Sequence, residues 1–120
     1  MKSVFIASSR KFYDETEKLV NDLKSEGIST STAGTWDKSK PDNLKDEKKA
    51  ILEAFKQIDK KEIIYIYAKE GYIEKTVSME IAYAHARNKT IISSEKVQEL
   101  SAQALISKVL TPKELIIYCK

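Results

Sequence analysis

The sequence predicts an α/β fold, a three-layer doubly wound sandwich in which five parallel strands lie between helices. Three observations carry that expectation. Residues 4–7 (VFIA) and 63–68 (IIYIYA) are apolar or aromatic at every position, the pattern of strands buried on both faces. Segments with helical periodicity alternate with these runs, in the order βαβαβαβαβ. Alternation of this kind implies right-handed crossovers and a parallel sheet, for which the flavodoxin-like strand order 2-1-3-4-5 is the natural choice.

The elements follow in order. Strand 1 covers residues 4–7 and ends in Ser8-Ser9-Arg10. A helix comes next, with Phe12, Thr16, Leu19, Val20 and Leu23 on its inner face and Gly27 as its stop. Residues 28–32 are expected as strand 2, and residues 33–43, with Gly34, Trp36 and Pro41, as a loop. A second helix is predicted over 46–60, where Ile51, Ala54, Phe55 and Ile58 recur at i, i+3, i+4 and i+7. Strand 3 is residues 63–68. A loop then leads to a helix opening at Thr76, whose hydroxyl suits an N-cap. Asn88 turns the chain into strand 4 at 90–93. A helix capped by Ser93 or Ser94 and divided at Ser101 follows, then a break at Thr111-Pro112 and a last strand at 115–118.

The 120 residues suit one domain spanning 1–120 with a substantial core. No apolar run approaches the ~20 residues of a membrane span, and the opening MKSVFIASSR has no signal-peptide pattern. A cytoplasmic protein with no membrane partner is the expectation. One cysteine, Cys119, and one histidine, His85, argue against a disulfide framework, a metal site or a thiol nucleophile. The net charge of +3 comes from interspersed lysines and acids, with Asp42, Asp46 and Glu47 breaking the densest basic stretch. That mixture speaks against nucleic acid as a partner.

In a doubly wound sheet, ligands bind beyond the carboxyl ends of the strands, beside the switch point between strands 1 and 3. Ser8, Ser9 and Arg10 fall there, as does the loop 69–74 and the start of the third helix. Hydroxyls, free N–H groups and a guanidinium suit a phosphate or sugar hydroxyls, or simply start a helix. No Gly-x-Gly-x-x-Gly or Walker pattern is present, and the acids of a receiver domain are replaced by Ser8, Ser9 and Ala68. Tyr72 and Trp36 are candidates to stack on a base or to plug a loop.

On the third helix, Val77, Ile81 and Ala84 form the inner stripe. Glu80 lies roughly 60° from Val77 and 40° from Ala84, at the border of the buried face. With Glu74 it makes a candidate carboxylate pair, one acid as nucleophile at a sugar carbon and the other sharing a proton with the leaving group. His85 lies roughly 140° round from Glu80, away from such a site.

The segment GY, a short polar loop and MEIAYAHARNKTII, together with the opening VFIASSR, resembles the nucleoside 2-deoxyribosyltransferase-like family. Ala82 stands where that family usually has glycine after the Glu80-Ile81 pair. The resemblance implies a doubly wound domain that transfers or hydrolyses an N-glycosidic bond without cofactor or metal. It assigns the nucleophile to Glu80 and the assisting acids to Glu74 and Glu62, where relatives commonly carry aspartate. It also implies a homodimer or higher homo-oligomer. The expected activity is N-glycosidic cleavage or base exchange on a nucleoside or nucleoside monophosphate. A non-catalytic nucleotide-binding sensor or regulatory module on the same scaffold, or an NAD-type glycohydrolase, are the alternatives.

Overall fold

The computed structural model describes residues 1–33 and 43–120. Trp36 and most of the loop expected over 33–43 lie outside the described residues. The sheet consists of β1 (Val4–Ser8), β2 (Thr30–Ser31), β3 (Ile63–Tyr67), β4 (Thr90–Ser93) and β5 (Lys108–Val109). All neighbouring strands pair in parallel, in the order β2-β1-β3-β4-β5 expected from the alternation. Among the described residues, five helices flank it: α1 (Tyr13–Ser25), α2 (Leu44–Asp59), α3 (Lys75–Ala86), α4 (Leu100–Leu105) and α5 (Pro112–Cys119).

Successive residues of the central strands point to opposite faces, and each face has its own core. Phe5, Ala7, Ile64, Ile66 and Ile91 pack against Ala54 and Ile58 of α2, Val77, Ile81 and Ala84 of α3, and Ala102 of α4. Val4, Ile6, Ile63, Tyr65 and Ile92 pack against Leu19 and Leu23 of α1 and Leu115 and Cys119 of α5. This double burial explains why β1 and β3 are apolar without interruption. No helix among the described residues is long and apolar enough to cross a membrane.

Strand 2 contracts to two residues, and β4 has the bounds its sequence suggests. Three local expectations are overturned. Residues 115–118 are helical: Thr111 and Glu114 form a reciprocal capping box, with Pro112 at the first helical position. The same Thr-Pro pair that reads as a break is therefore a helix start. Leu115 and Cys119, four apart, are buried, while Ile117 is 75% exposed, which no central strand allows. The fifth strand comes earlier, at β5.

Ser93 and Ser94 cap no helix. The Ser94 hydroxyl accepts from the Ala68 N–H at 2.8 Å, and the Ser93 hydroxyl donates to the Glu95 carbonyl at 2.8 Å. The helix starts only at Leu100, with Glu99 at its N-cap. The third correction concerns Thr76. Helix α3 begins one residue earlier, with Glu74 at the N-cap position and Thr76 inside the first turn. Glu80 consequently sits in the second turn.

Candidate active site

The carboxyl ends of β1 and β3 lie side by side, with Ser8 opposite Tyr67. Ser9 leaves β1 in an extended conformation and caps the short 3-10 turn that precedes α1. Its hydroxyl oxygen accepts from the Lys11 N–H at 3.1 Å, and its proton goes to Oε1 of Glu74 at 2.5 Å. Ser9 is 2% exposed, so its end of this link is sheltered from water. The expected ligand-binding hydroxyl is therefore engaged inside the protein, holding the loop acid in place. Ser8 donates to the Ser9 carbonyl at 3.2 Å and faces the crevice.

The loop between β3 and α3 is tied down from a third side. Ser94 N–H reaches the Ile66 carbonyl at 2.9 Å. The Glu70 N–H donates to the Glu95 carboxylate at 3.2 Å. Gln98 donates through its backbone to Gly71 and through its side chain to Glu70, both at 3.0 Å. Gly71 adopts φ +80°, and a Cβ there would lie 2.6 Å from the Lys96 carbonyl oxygen. Only glycine satisfies both the turn and that approach. The strand 4 loop thus braces the segment that delivers Glu74 to the crevice.

Glu80 projects from α3 between Val77, Ile81 and Ala84 and is only 8% exposed. Among the described residues its carboxyl has neither a hydrogen bond nor an ion pair. Burial pushes its pKa up to about 8, and the nearby Arg10 charge opposes the rise only in part. Glu80 is therefore mainly protonated at neutral pH.

These groups share a crevice of about 90 Å³. Its polar lining is Ser8, Arg10, Glu47, Glu74, Thr76 and Glu80. Ala33, Ala50, Ile51 and Val77 supply the apolar wall. A larger groove of about 580 Å³ runs between α1 and the start of α5 on the other side of the sheet. Its acids, Glu15 and Asp22, are exposed, and among the described residues it holds no buried carboxyl like Glu80.

Of the residues singled out from sequence, Ser8, Arg10, Glu74 and Glu80 meet at the crevice, with Ser9 directly behind Glu74. Glu62 does not join them. It precedes β3, at the opposite end of a strand about 17 Å long. There its N–H donates to the Ser3 hydroxyl at 3.0 Å. Tyr72 does not line the crevice either. Its ring sits edge-on to Phe12, with centroids 6.1 Å apart, under the Lys11 ammonium at 4.5 Å. Packing on an aromatic neighbour has claimed it. Trp36 lies outside the described residues.

Glu47, in the first turn of α2, is a crevice residue that sequence reasoning missed. The signal was topological. In a doubly wound sheet each helix starts at the carboxyl edge of the strand before it, so the first turn of α2 belongs at this edge as surely as that of α3.

No protein-family model matches the chain, and no curated protein matches it in sequence. Among solved structures, it is similar to the CMP N-glycosidase BcmB of Clostridium botulinum, at 16% identity and a TM-score of 0.63. The alignment covers 98% of this chain and 96% of that one. At that identity, what the two share is the doubly wound fold with its strand order, over nearly the whole length of both.

Proposed function

We propose that the crevice cleaves the N-glycosidic bond of a nucleoside or nucleoside monophosphate, with Glu80 as the nucleophile. The observation that carries this reading is Glu80 itself, a buried carboxyl without a bonding partner that faces a hollow shared with a second, oriented acid. A structural role would give such a group a partner, because an unpaired buried acid destabilises the fold. The similarity in fold to a CMP N-glycosidase supports the same chemistry.

The protonation pattern suits the reaction. Glu80 holds a proton at neutral pH, and Glu74 accepts from the Ser9 hydroxyl. When substrate enters, Glu74 relays the Glu80 proton to the base nitrogen. The freed Glu80 carboxylate attacks C1′, and the electron pair of the C1′–N bond leaves with the base. Water then attacks C1′ of the glycosyl-enzyme, giving the free sugar and returning a proton to Glu80. Proton and electron pair both balance over the cycle, with no external acid. A second nucleobase in place of water makes the same site a base-exchange enzyme. Arg10 and Ser8 line the crevice, where they would hold sugar hydroxyls.

The test is to incubate the purified chain with a panel of nucleosides and their monophosphates and follow free base by chromatography. Base release that disappears in Glu80→Gln, with a sugar adduct trapped on Glu80 in the parent, supports the reading. Base release at the parental rate from Glu80→Gln refutes it.

A further inference from the structure

We propose that Gln98, on the loop after β4, is a positioning residue for the crevice: by clasping the loop between β3 and α3 it fixes where Glu74 and the start of α3 stand. Its part in the reaction rests on the glycosidic reading above, to which it adds a residue outside the crevice itself.

The observation behind it is a turn that does not hold itself. Glu70 has φ +58° and ψ +21°, the left-handed region that glutamate seldom adopts, and Gly71 follows at φ +80°. A residue other than glycine stays in that region only when its surroundings fix it, and such places gather beside sites of chemistry. Here the surroundings are one short segment, residues 94–98. The Ala68 N–H donates to the Ser94 hydroxyl at 2.8 Å, and the Glu70 N–H donates to the Glu95 carboxylate at 3.2 Å. Gln98 answers the opposite polarity. Its side-chain amide donates to the Glu70 carbonyl and its backbone N–H to the Gly71 carbonyl, each at 3.0 Å. Among the described residues, it alone satisfies the carbonyls of both left-handed positions.

The far end of this loop is the site. Glu74 lies three residues past Gly71, so at most about 10 Å of extended chain separates the clasp from the N-cap of α3. Glu74 accepts there from the Ser9 hydroxyl, and Glu80 follows in the second turn of the same helix. A misplacement of ~1 Å in groups that must meet a sugar carbon costs on the order of a hundredfold in rate. Gln98 itself is exposed and does not line the crevice. Truncating its side chain therefore loosens the loop without opening a cavity or removing a contact to substrate.

The experiment measures kcat and KM for base release, normalised to folded protein, in the parent and in Gln98→Ala, Gln98→Glu, Gln98→Arg and Gln98→Lys. Gln98→Ala should lose about tenfold in kcat with KM within about twofold. Gln98→Glu, equal in length but setting an acceptor against the Glu70 carbonyl, should lose at least as much. Gln98→Arg or Gln98→Lys, which keep an N–H donor, should return kcat to within about threefold of the parent. A side chain with only a structural role would lower the melting temperature and leave kcat per folded molecule unchanged. A parental kcat in Gln98→Ala overturns the proposal, as does a loss that both donor-keeping variants share in full.

Hydrogen exchange reads the same clasp without turnover. In Gln98→Ala the Tyr72 N–H, bonded to the Lys69 carbonyl, and the Val77 N–H, bonded to the Glu74 carbonyl, should exchange about tenfold faster, while the amides of β3 keep their protection. If no substrate releases base in the parent, the glycosidic reading fails and this measurement decides the clasp alone. Faster exchange at those two amides supports it, and unchanged protection overturns it.

Discussion

The Ser9 hydroxyl donates a 2.5 Å hydrogen bond to the Glu74 carboxylate, joining the end of β1 to the start of α3. The two residues are 65 positions apart in the chain. The contact orients one acid of the crevice while burial neutralises the other, Glu80. A carboxyl held by a hydrogen bond and one neutralised by burial are suited to different tasks.

Replacing Ser9 with alanine removes both the partner of Glu74 and the acceptor for the Lys11 N–H. A stability loss of about 1–3 kcal/mol is expected, read from the denaturant midpoint. The rate should fall about tenfold or more in kcat, with KM little altered, since the bond acts on the position of Glu74 and not on substrate. A lost hydroxyl with merely structural consequences would lower stability without this split.

Glu80 makes stability depend on pH. Its pKa rises on folding from 4.5 to about 8, because burial disfavours the charge. Below 4.5 both states hold the proton and nothing is lost. Between 4.5 and about 8 the unfolded chain has released it while the folded chain retains it, so stability falls as pH rises. Above about 8 the loss is complete, on the order of several kcal/mol. Glu80→Gln should abolish this component, so the variant gains on the parent as pH climbs. Urea titrations at pH 5, 6.5 and 8 measure the difference.

The rate should respond to the same proton. If base departure uses the proton held by Glu80, kcat/KM declines above about pH 8, where the free site has lost it. A profile flat to pH 10 would remove Glu80 from that role.

Gly71→Ala places a Cβ at φ +80° and 2.6 Å from the Lys96 carbonyl oxygen. The strained backbone and the clash together cost about 2–4 kcal/mol. The displacement should also pass to Glu74, three residues on, and lower activity in the surviving folded fraction. Thermal unfolding with activity normalised to folded protein separates the two effects.

Helix α5 depends on its first residue. Thr111→Ala deletes the side-chain half of the capping box and should lower stability by about 1 kcal/mol. Thr111→Ser retains the hydroxyl and should recover most of it. Melting temperatures of the two variants provide the comparison.

The parallel sheet, its strand order and the faces of α1, α2 and α3 were legible in the chain because their causes are local. A strand covered on both sides must be apolar at every position, as residues 63–66 are, and a helix must repeat its apolar residues every three or four. The run LIIYC was not legible as a helix from composition alone. A short apolar stretch suits either state, and only the burial of Leu115 and Cys119 beside an exposed Ile117 separates them.

The site divides along the same line. That Ser8, Arg10, Glu74 and Glu80 meet follows from topology, and topology follows from the alternation of elements. Whether Glu80 is charged, whether the Ser9 hydroxyl is available, and that Glu47 belongs to the crevice while Glu62 does not, were decided only by tertiary packing. Solvation and hydrogen bonding depend on which distant residues arrive beside a group, and the neighbours of Glu80 and Glu74 come from β1, α2 and α3.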